Sequence, residues 1–600
     1  DQAEASGMDA GTGRDLTAGL TALTYQSLAV FDTEAEDPDE EDAGELRRLH
    51  PNGRALVETL EAADDLLLIL DESHHLLEVW GRLLGEVLDL LPRAHVLGLT
   101  ATPPSTLTAS QAELMGRLFG EVTFEASIPA VVREGDLAPF AELAWLVRPT
   151  AAETEWLDEG AERFRDLVTQ LTDPEYGRLS LLSWLDARFT TGDFPRIAAE
   201  EPALADAALR LHHAGLLALP DGARPGERHE QDPTADDWML LVEDWLLEHV
   251  APSEDPADQR LLESVRAVLP SVGYVWTRRG IRAGRSTVDR VLARSEAKTV
   301  AAVQIVQAEA MVLRELLRML VLCDHESASA TLPGGLDDVL DRRAGSAVRV
   351  LEALLDDPGT AALDPLLVTG STVAGAAPTL EALREHVAAT DPALAAQLVV
   401  TGDHPAALEG PWRSRDWVRH ATRFFEEGRA RVLVGTRGLL GEGWDARRVS
   451  GLVDLTAVTT STAVVQTRGR ALRIDPAWPE KVALTWSVVC VAPDHPRGGN
   501  DWDRLVRKHD GFFGVDETGD VVDGVAHLDP AFSPFHPPAT DEFDAVNARM
   551  LARAERRGSI REQWRVGEEY DDRVARTLRL RPDPRRPVGT GSAAPAVIAH

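Results

Sequence analysis

The chain has 600 residues, a formal net charge of −38 and 44% hydrophobic residues. That length exceeds what one hydrophobic core serves and predicts several domains, while the charge excludes indiscriminate coating of nucleic acid and confines any such site to a local groove. Cys323 and Cys490 are the sole cysteines, which excludes a disulfide scaffold or a cysteine-ligated zinc site and, with no apolar run of about 18–20 residues and no signal-peptide pattern, predicts a cytoplasmic protein off the membrane.

In chain order, Gly11-Thr12-Gly13-Arg14-Asp15 is the nearest approach to a phosphate-binding GxxxxGK[ST] loop. It lacks the Lys and the Ser/Thr, no apolar strand precedes it, and it reads as a plain loop. The chain contains no Gly-Lys pair at all. The expectation is that these residues belong to a longer polypeptide whose phosphate-binding loop lies upstream. Residues 20–28 read as a short strand running into a helix start, with Thr24 and Gln26 at the junction. Nine acids between residues 32 and 45 predict a solvated, disordered insertion.

Leu66 to Leu70 is an unbroken aliphatic run that ends in Asp71-Glu72-Ser73-His74-His75. So short a run predicts a strand buried on both faces of a parallel sheet. Its polar cluster then stands at the carboxyl end, where open α/β sheets place ligands. Paired carboxylates there suit a metal–phosphate site, with Asp71 holding Mg²⁺ and Glu72 orienting or deprotonating a water. The alternative is a strand entering a helix capped by Asp71 or Ser73. A second strand ends in Thr100-Ala101-Thr102-Pro103, and the offset 100 − 71 = 29 leaves room for a crossover helix over about 76–91. Residues 109–119 have helical spacing, and 142–147 read as the last strand of a first domain.

Residues 151–290 are patterned as helices separated by proline- and acid-rich loops, and carry no catalytic motif. An α/β rhythm returns from about residue 295: a helix over 301–317, strands at 319–324 and 365–368, a helix over 415–427 and a strand at 431–436. Thr436 is followed by a glycine-rich turn through Gly443 to Asp445, whose amides suit phosphate. In Gln466-Thr467-Arg468-Gly469-Arg470-Ala471-Leu472-Arg473, the residues Gln466, Arg470 and Arg473 stand at i, i+4 and i+7, one face of a helix. Two guanidiniums on one face form a forked donor set for phosphate. Residues 499–600 read as an appendage. Its arginines 549–565 interleave with glutamates, which predicts a solvated helix face, and its last stretch reads as disordered.

These segments resemble superfamily 2 helicases: Thr24-Tyr25-Gln26 the segment before the Walker B strand, Asp71-Glu72-Ser73-His74 the DExH box, Thr100-Ala101-Thr102 the coupling motif, 436–445 motif V and 466–473 motif VI, in the family's order. The likeness covers about 20–147 and 295–491. It implies an α/β fold with two RecA-like parallel-sheet domains, 1–150 and 291–498, a helical insertion at 151–290 and a C-terminal extension at 499–600. It further implies ATP and Mg²⁺ in an interdomain cleft, with Asp71, Glu72 and His74 from one side and Gln466, Arg470 and Arg473 from the other. The two arginines would be the fingers that stabilise the transferring phosphoryl group. Gly443 and Asp445 would lie by the nucleotide, Thr100, Ala101 and Thr102 would couple closure to movement, and Thr24, Gln26 and Thr436 would touch the nucleic-acid backbone. The implied function is an ATP-dependent helicase or translocase of the restriction and repair type, acting on DNA ahead of RNA, with protein partners through the insertion or the extension. The alternative is a non-hydrolysing RecA-fold scaffold subunit that binds nucleic acid.

Overall fold

A computed structural model describes residues 9–25, 46, 49–63, 65–77, 79–103, 107–174, 178–284, 286–327, 336, 338–440 and 444–570. The acidic run 32–45, Gln26, Gly443 and the chain beyond residue 570 lie outside the described residues. The fold is α/β, and it divides into two compact units, residues 1–126 and 127–599.

In the first unit, β1 (Ala10–Gly11) and β2 (Leu20–Thr21) form a minimal parallel pair. The βαβ unit stands as its spacing requires. β3 (Leu67–Leu70) pairs in parallel with β4 (His95–Gly98), and the helix Val79–Leu90 makes the crossover. The helices Pro51–Glu61 and Val79–Leu90 pack Leu56, Val57, Leu83 and Val87 against Leu68. The helix Ala109–Phe119, begun by a Thr108–Gln111 capping box, adds Leu118 beside Leu70. The expectation that β3 is buried on both faces is corrected. Leu67 and Ile69 are 58% and 51% exposed, because among the described residues helices cover only one face of this two-stranded sheet.

The second unit is built on a nine-stranded sheet. Its parallel run comprises β5 (Phe140–Val147), β8 (Met319–Cys323), β9 (Leu366–Val368), β13 (Val432–Thr436), β14 (Gly451–Asp454) and β15 (Ala483–Cys490), in the order β9-β13-β8-β14-β15-β5. Three antiparallel strands extend the β9 edge: β10 (Val373–Gly375), β12 (Ala406–Glu409) and β11 (Val399–Thr401). Every residue of β8, β14 and β15 is buried. The helices Glu296–Leu313, Ala347–Asp356, Ala377–Ala388 and Ser414–Glu426 cover the sheet with Ile305, Val350, Leu380 and Phe424. Residues 142–147 do not close the first domain. Strand β5 pairs along its whole length with β15, Phe140 to Ala483 and Val147 to Cys490. An apolar strand states that it is buried but not which sheet buries it, and the division between units falls after residue 126 rather than near 150.

Residues 151–272 form helices around a core of their own, with Leu185, Phe189, Leu211, Trp245 and Leu261 at its centre, and a hairpin of β6 (Tyr274–Thr277) and β7 (Gly280–Ala283) follows. One buried carboxylate ties the entry of this region to its exit. Glu153 accepts from its own cap at Thr150 N (2.8 Å), from Ser295 Oγ (2.6 Å) and from Glu296 N (3.0 Å).

The extension is likewise corrected: up to residue 570 it is not an appendage. Strand β5 is the sheet's edge, and its open backbone is covered. Asn547 accepts from Leu146 N and donates to Leu146 O at 2.8 and 2.9 Å, in the manner of a neighbouring strand, and Trp564 Nε1 donates to Phe140 O at 2.7 Å. Arg553 is buried and donates to the carbonyls of His527, Leu528 and Val515, Arg557 pairs with buried Glu309, and Arg549 pairs with Asp529. Arg553 and Arg557, read as part of a solvated face, instead hold the fold together, whereas Arg556 and Arg565 are exposed.

Candidate functional site

In the first unit, the carboxyl end of β3 turns sharply. Glu72 adopts φ 51°, ψ 44°, the left-handed region, which costs a non-glycine residue about 1–2 kcal/mol. The turn lets Ser73 N donate to Leu99 O (2.9 Å) and sets His74 in the interior. His74 Nδ1 lies 2.9 Å from Thr100 Oγ1, 3.4 Å from Thr102 Oγ1 and 3.4 Å from Glu72 Oε2. Thr102 N donates back to Thr100 Oγ1 at 3.1 Å, so the threonine segment is a closed turn locked on the imidazole. The acidic cluster and the threonine cluster, 29 residues apart in sequence, are therefore one polar assembly joined by His74. Asp71 is exposed, its Oδ1 receiving Glu72 N at 3.0 Å, and Ala101 is exposed beside the threonines. Glu72 Oε2 is buried and accepts no hydrogen bond.

Tyr25 belongs to this assembly, and sequence reading passed over it in favour of its neighbour Thr24, which is exposed. Its hydroxyl donates to Asp71 O at 2.5 Å. Burial, with the adjacent Asp71 and Glu72 charges, raises its phenol above the ordinary range, so the donor stays protonated. An aromatic hydroxyl within a segment read as a strand end was the available signal.

In the second unit, Thr436 ends β13, beside the end of β8 at Cys323. The expected helix through Gln466, Arg470 and Arg473 is shorter than its motif. It runs Ser461–Gly469, so Arg470 is its cap and Arg473 lies beyond it. Gly469, the weakest helix former in the stretch, is its last helical residue. The two arginines still converge, but on the chain itself: Arg470 Nη1 donates to Trp444 O and Arg473 pairs with Asp445, adjacent residues of the glycine-rich turn. Arg470 is buried; Arg473 is partly exposed, and desolvation lowers its guanidinium pKa against the pull of Glu426. Trp444, which sequence reading left without a role, is fixed by Nε1 donating to Thr422 Oγ1 at 2.7 Å. Gln466 Nε2 is a buried donor with no acceptor.

Three of the six residues named as catalytic, Asp71, Glu72 and His74, are thus gathered in the first unit. The other three, Gln466, Arg470 and Arg473, lie on one short segment of the second. Among the described residues no group of His, Cys, Asp and Glu is arranged to hold a metal by protein ligands alone. No helix there is long and apolar enough to cross a membrane.

No protein-family model matches the chain, and no curated protein does. Among solved structures, it is similar to the helicase domain of Pyrococcus furiosus Hef, at 13% identity and a TM-score of 0.29, covering 70% of this chain and 71% of that one. It is also similar to the C-terminal part of the Fun30 ATPase domain, at 11% identity and a TM-score of 0.25, covering 70% of this chain and 99% of that one. At such scores neither likeness carries a function across to this chain.

Proposed function

We propose that the chain belongs to an ATP-driven motor of superfamily 2 that moves along nucleic acid, DNA ahead of RNA, its two α/β units being of the RecA type. The observation that carries this reading is the junction of Glu72, His74, Thr100 and Thr102. A pair of acids that reads nucleotide state is useful to a motor only if something reports it to the rest of the fold, and one imidazole here bonds both threonines. A scaffold needs neither the strained turn at Glu72 nor the buried contact.

Mg-ATP fits part of the site. Asp71 would hold the metal. Glu72 Oε2, 3.4 Å from His74 Nδ1, would orient the attacking water and take its proton. Bound Mg-ATP supplies the phosphoryl group whose transfer to water drives movement. These 600 residues lack a Gly-Lys pair, so the motor reading requires a phosphate cradle that this sequence does not show. That absence is what favours the scaffold reading; the junction at His74 weighs against it.

Nucleic acid would pass Thr24, Gln26 and Thr436, whose hydroxyl and amide groups position a backbone without reading its sequence. Arg549, Arg553 and Arg557 of the extension are committed to Asp529, Glu309 and backbone carbonyls, and so do not enlarge this track, while Arg556 and Arg565 are exposed. Titrating a labelled single strand at several salt concentrations tests the point. Each neutralised phosphate adds ~0.7 to the log–log slope, and a slope of about 1–3, independent of sequence, is expected. A slope of about 5 or more would reveal a broad basic surface and refute a confined track.

A further inference from the structure

The helix Asn500–His509 ends in two residues that bond to the segment carrying the arginines of the proposed site. Lys508 is buried, and its Nζ donates to Asp454 Oδ2 and to Thr456 O, both at 2.6 Å. Thr456 closes this knot by donating Oγ1 and N to Asp454 Oδ1 at 2.7 and 2.9 Å. Burial would raise the Asp454 carboxyl, but the ammonium and the Thr456 donors outweigh it and hold it below the usual range. The knot lies at the end of β14, where the chain leaves the sheet for the arginine helix.

The far end of that helix is held by the same two residues. Arg468 is 2% exposed. Its Nη1 donates to Lys508 O (2.8 Å), its Nη2 donates to His509 Nε2 (2.8 Å), and its Nε lies 2.9 Å from Glu142 Oε2 on β5. His509 donates Nδ1–H to Leu505 O at 2.7 Å, which leaves Nε2 free to accept and makes the ring neutral. Burial and the neighbouring guanidinium keep its pKa well below the ordinary value.

We infer that Lys508 and His509 are positioning residues for the arginine pair: they clamp residues 454–468 at both ends, and so fix where Arg470 and Arg473 stand. The extension is then a working part of the arginine half, not an attachment to it. Among the described residues the clamp side chains make no hydrogen bond or ion pair to Trp444 or Asp445, so the clamp acts through the segment it holds. The catalytic meaning of the clamp rests on the motor reading; the clamp itself does not.

Hydrogen exchange on the whole chain separates the two. In Lys508→Met, amides of 455–473 are expected to exchange at least tenfold faster, while the helices of 151–268 keep their wild-type protection. Should that variant lose protection everywhere, the double variant Glu142→Gln with Arg468→Met, which removes the buried pair without stranding a charge, is expected to loosen the same residues alone. Wild-type exchange over 455–473 in both variants overturns the clamp. With the phosphate-binding loop supplied, the same variants should lower kcat for ATP about tenfold and leave KM within about twofold. A wild-type protein with no turnover at all overturns the motor reading, and the exchange result still decides the clamp.

Discussion

Replacing Glu72 by Gln is expected to lower ATP turnover by roughly 10²–10⁴-fold, the range for loss of a general base, while nucleotide binding survives. The amide keeps the shape and removes the charge that orients water. The structure sharpens this expectation. Glu72 stands in a left-handed turn with Oε2 buried and accepting no hydrogen bond, 3.4 Å from His74 Nδ1. Among the described residues the nearest carboxylate in sequence, Asp71, lies on the exposed side, engaged by Glu72 N. Single-turnover hydrolysis and nucleotide affinity, measured side by side on the full-length protein, check the point. Turnover within a factor of a few of wild type would remove Glu72 from the water-orienting role.

Truncating either arginine is expected to cut turnover by roughly 10³-fold or more, with a much smaller effect on nucleotide affinity, as for other arginine fingers. The two substitutions differ in what else they disturb. Arg470→Ala also leaves Trp444 O without its donor inside the fold, so part of its effect is structural. Arg473 is partly exposed and pairs with Asp445, so Arg473→Ala is the cleaner probe. Each arginine must leave its present partner to meet a phosphoryl group. Asp445→Asn, which weakens the hold on Arg473, should therefore cost far less turnover than Arg473→Ala. A variant that raises the Michaelis constant for ATP with kcat unchanged would mark a ground-state contact instead.

The α/β class and the first βαβ unit were legible because their signals are local: an aliphatic run, an acidic end, and an offset that fits one crossover helix. Legible for the same reason were the helix at 109–119 and the strand end at Thr436. What failed was non-local. Phe140–Val147 reads as a buried strand wherever it goes, and nothing in its apolar pattern says that its partner is Ala483–Cys490. Its one anomaly, Glu142 within an apolar run, was the clue, since a buried acid requires a buried base, here Arg468. The motif at 466–473 misled on geometry: the i, i+4, i+7 argument assumes a helix continuous through Arg473, and the helix ends at Gly469. The extension misled through composition. Arginines spaced among glutamates look solvated, yet Arg553 and Arg557 are buried by Val515, His527 and Glu309, partners that lie 38, 26 and 248 residues away.

The central claim is that nucleotide chemistry at Asp71 and Glu72 is reported, through His74 and the threonine turn, to a bound strand. The most direct measurement is steady-state ATP turnover of the full-length protein with Mg²⁺, with and without saturating single-stranded DNA or RNA, in wild type and in Thr100→Val with Thr102→Val. The account predicts Mg²⁺-dependent turnover that rises several-fold with nucleic acid in the wild type, and in the double variant a basal rate that persists while the stimulation is lost. Equal turnover with and without nucleic acid in the wild type would contradict it.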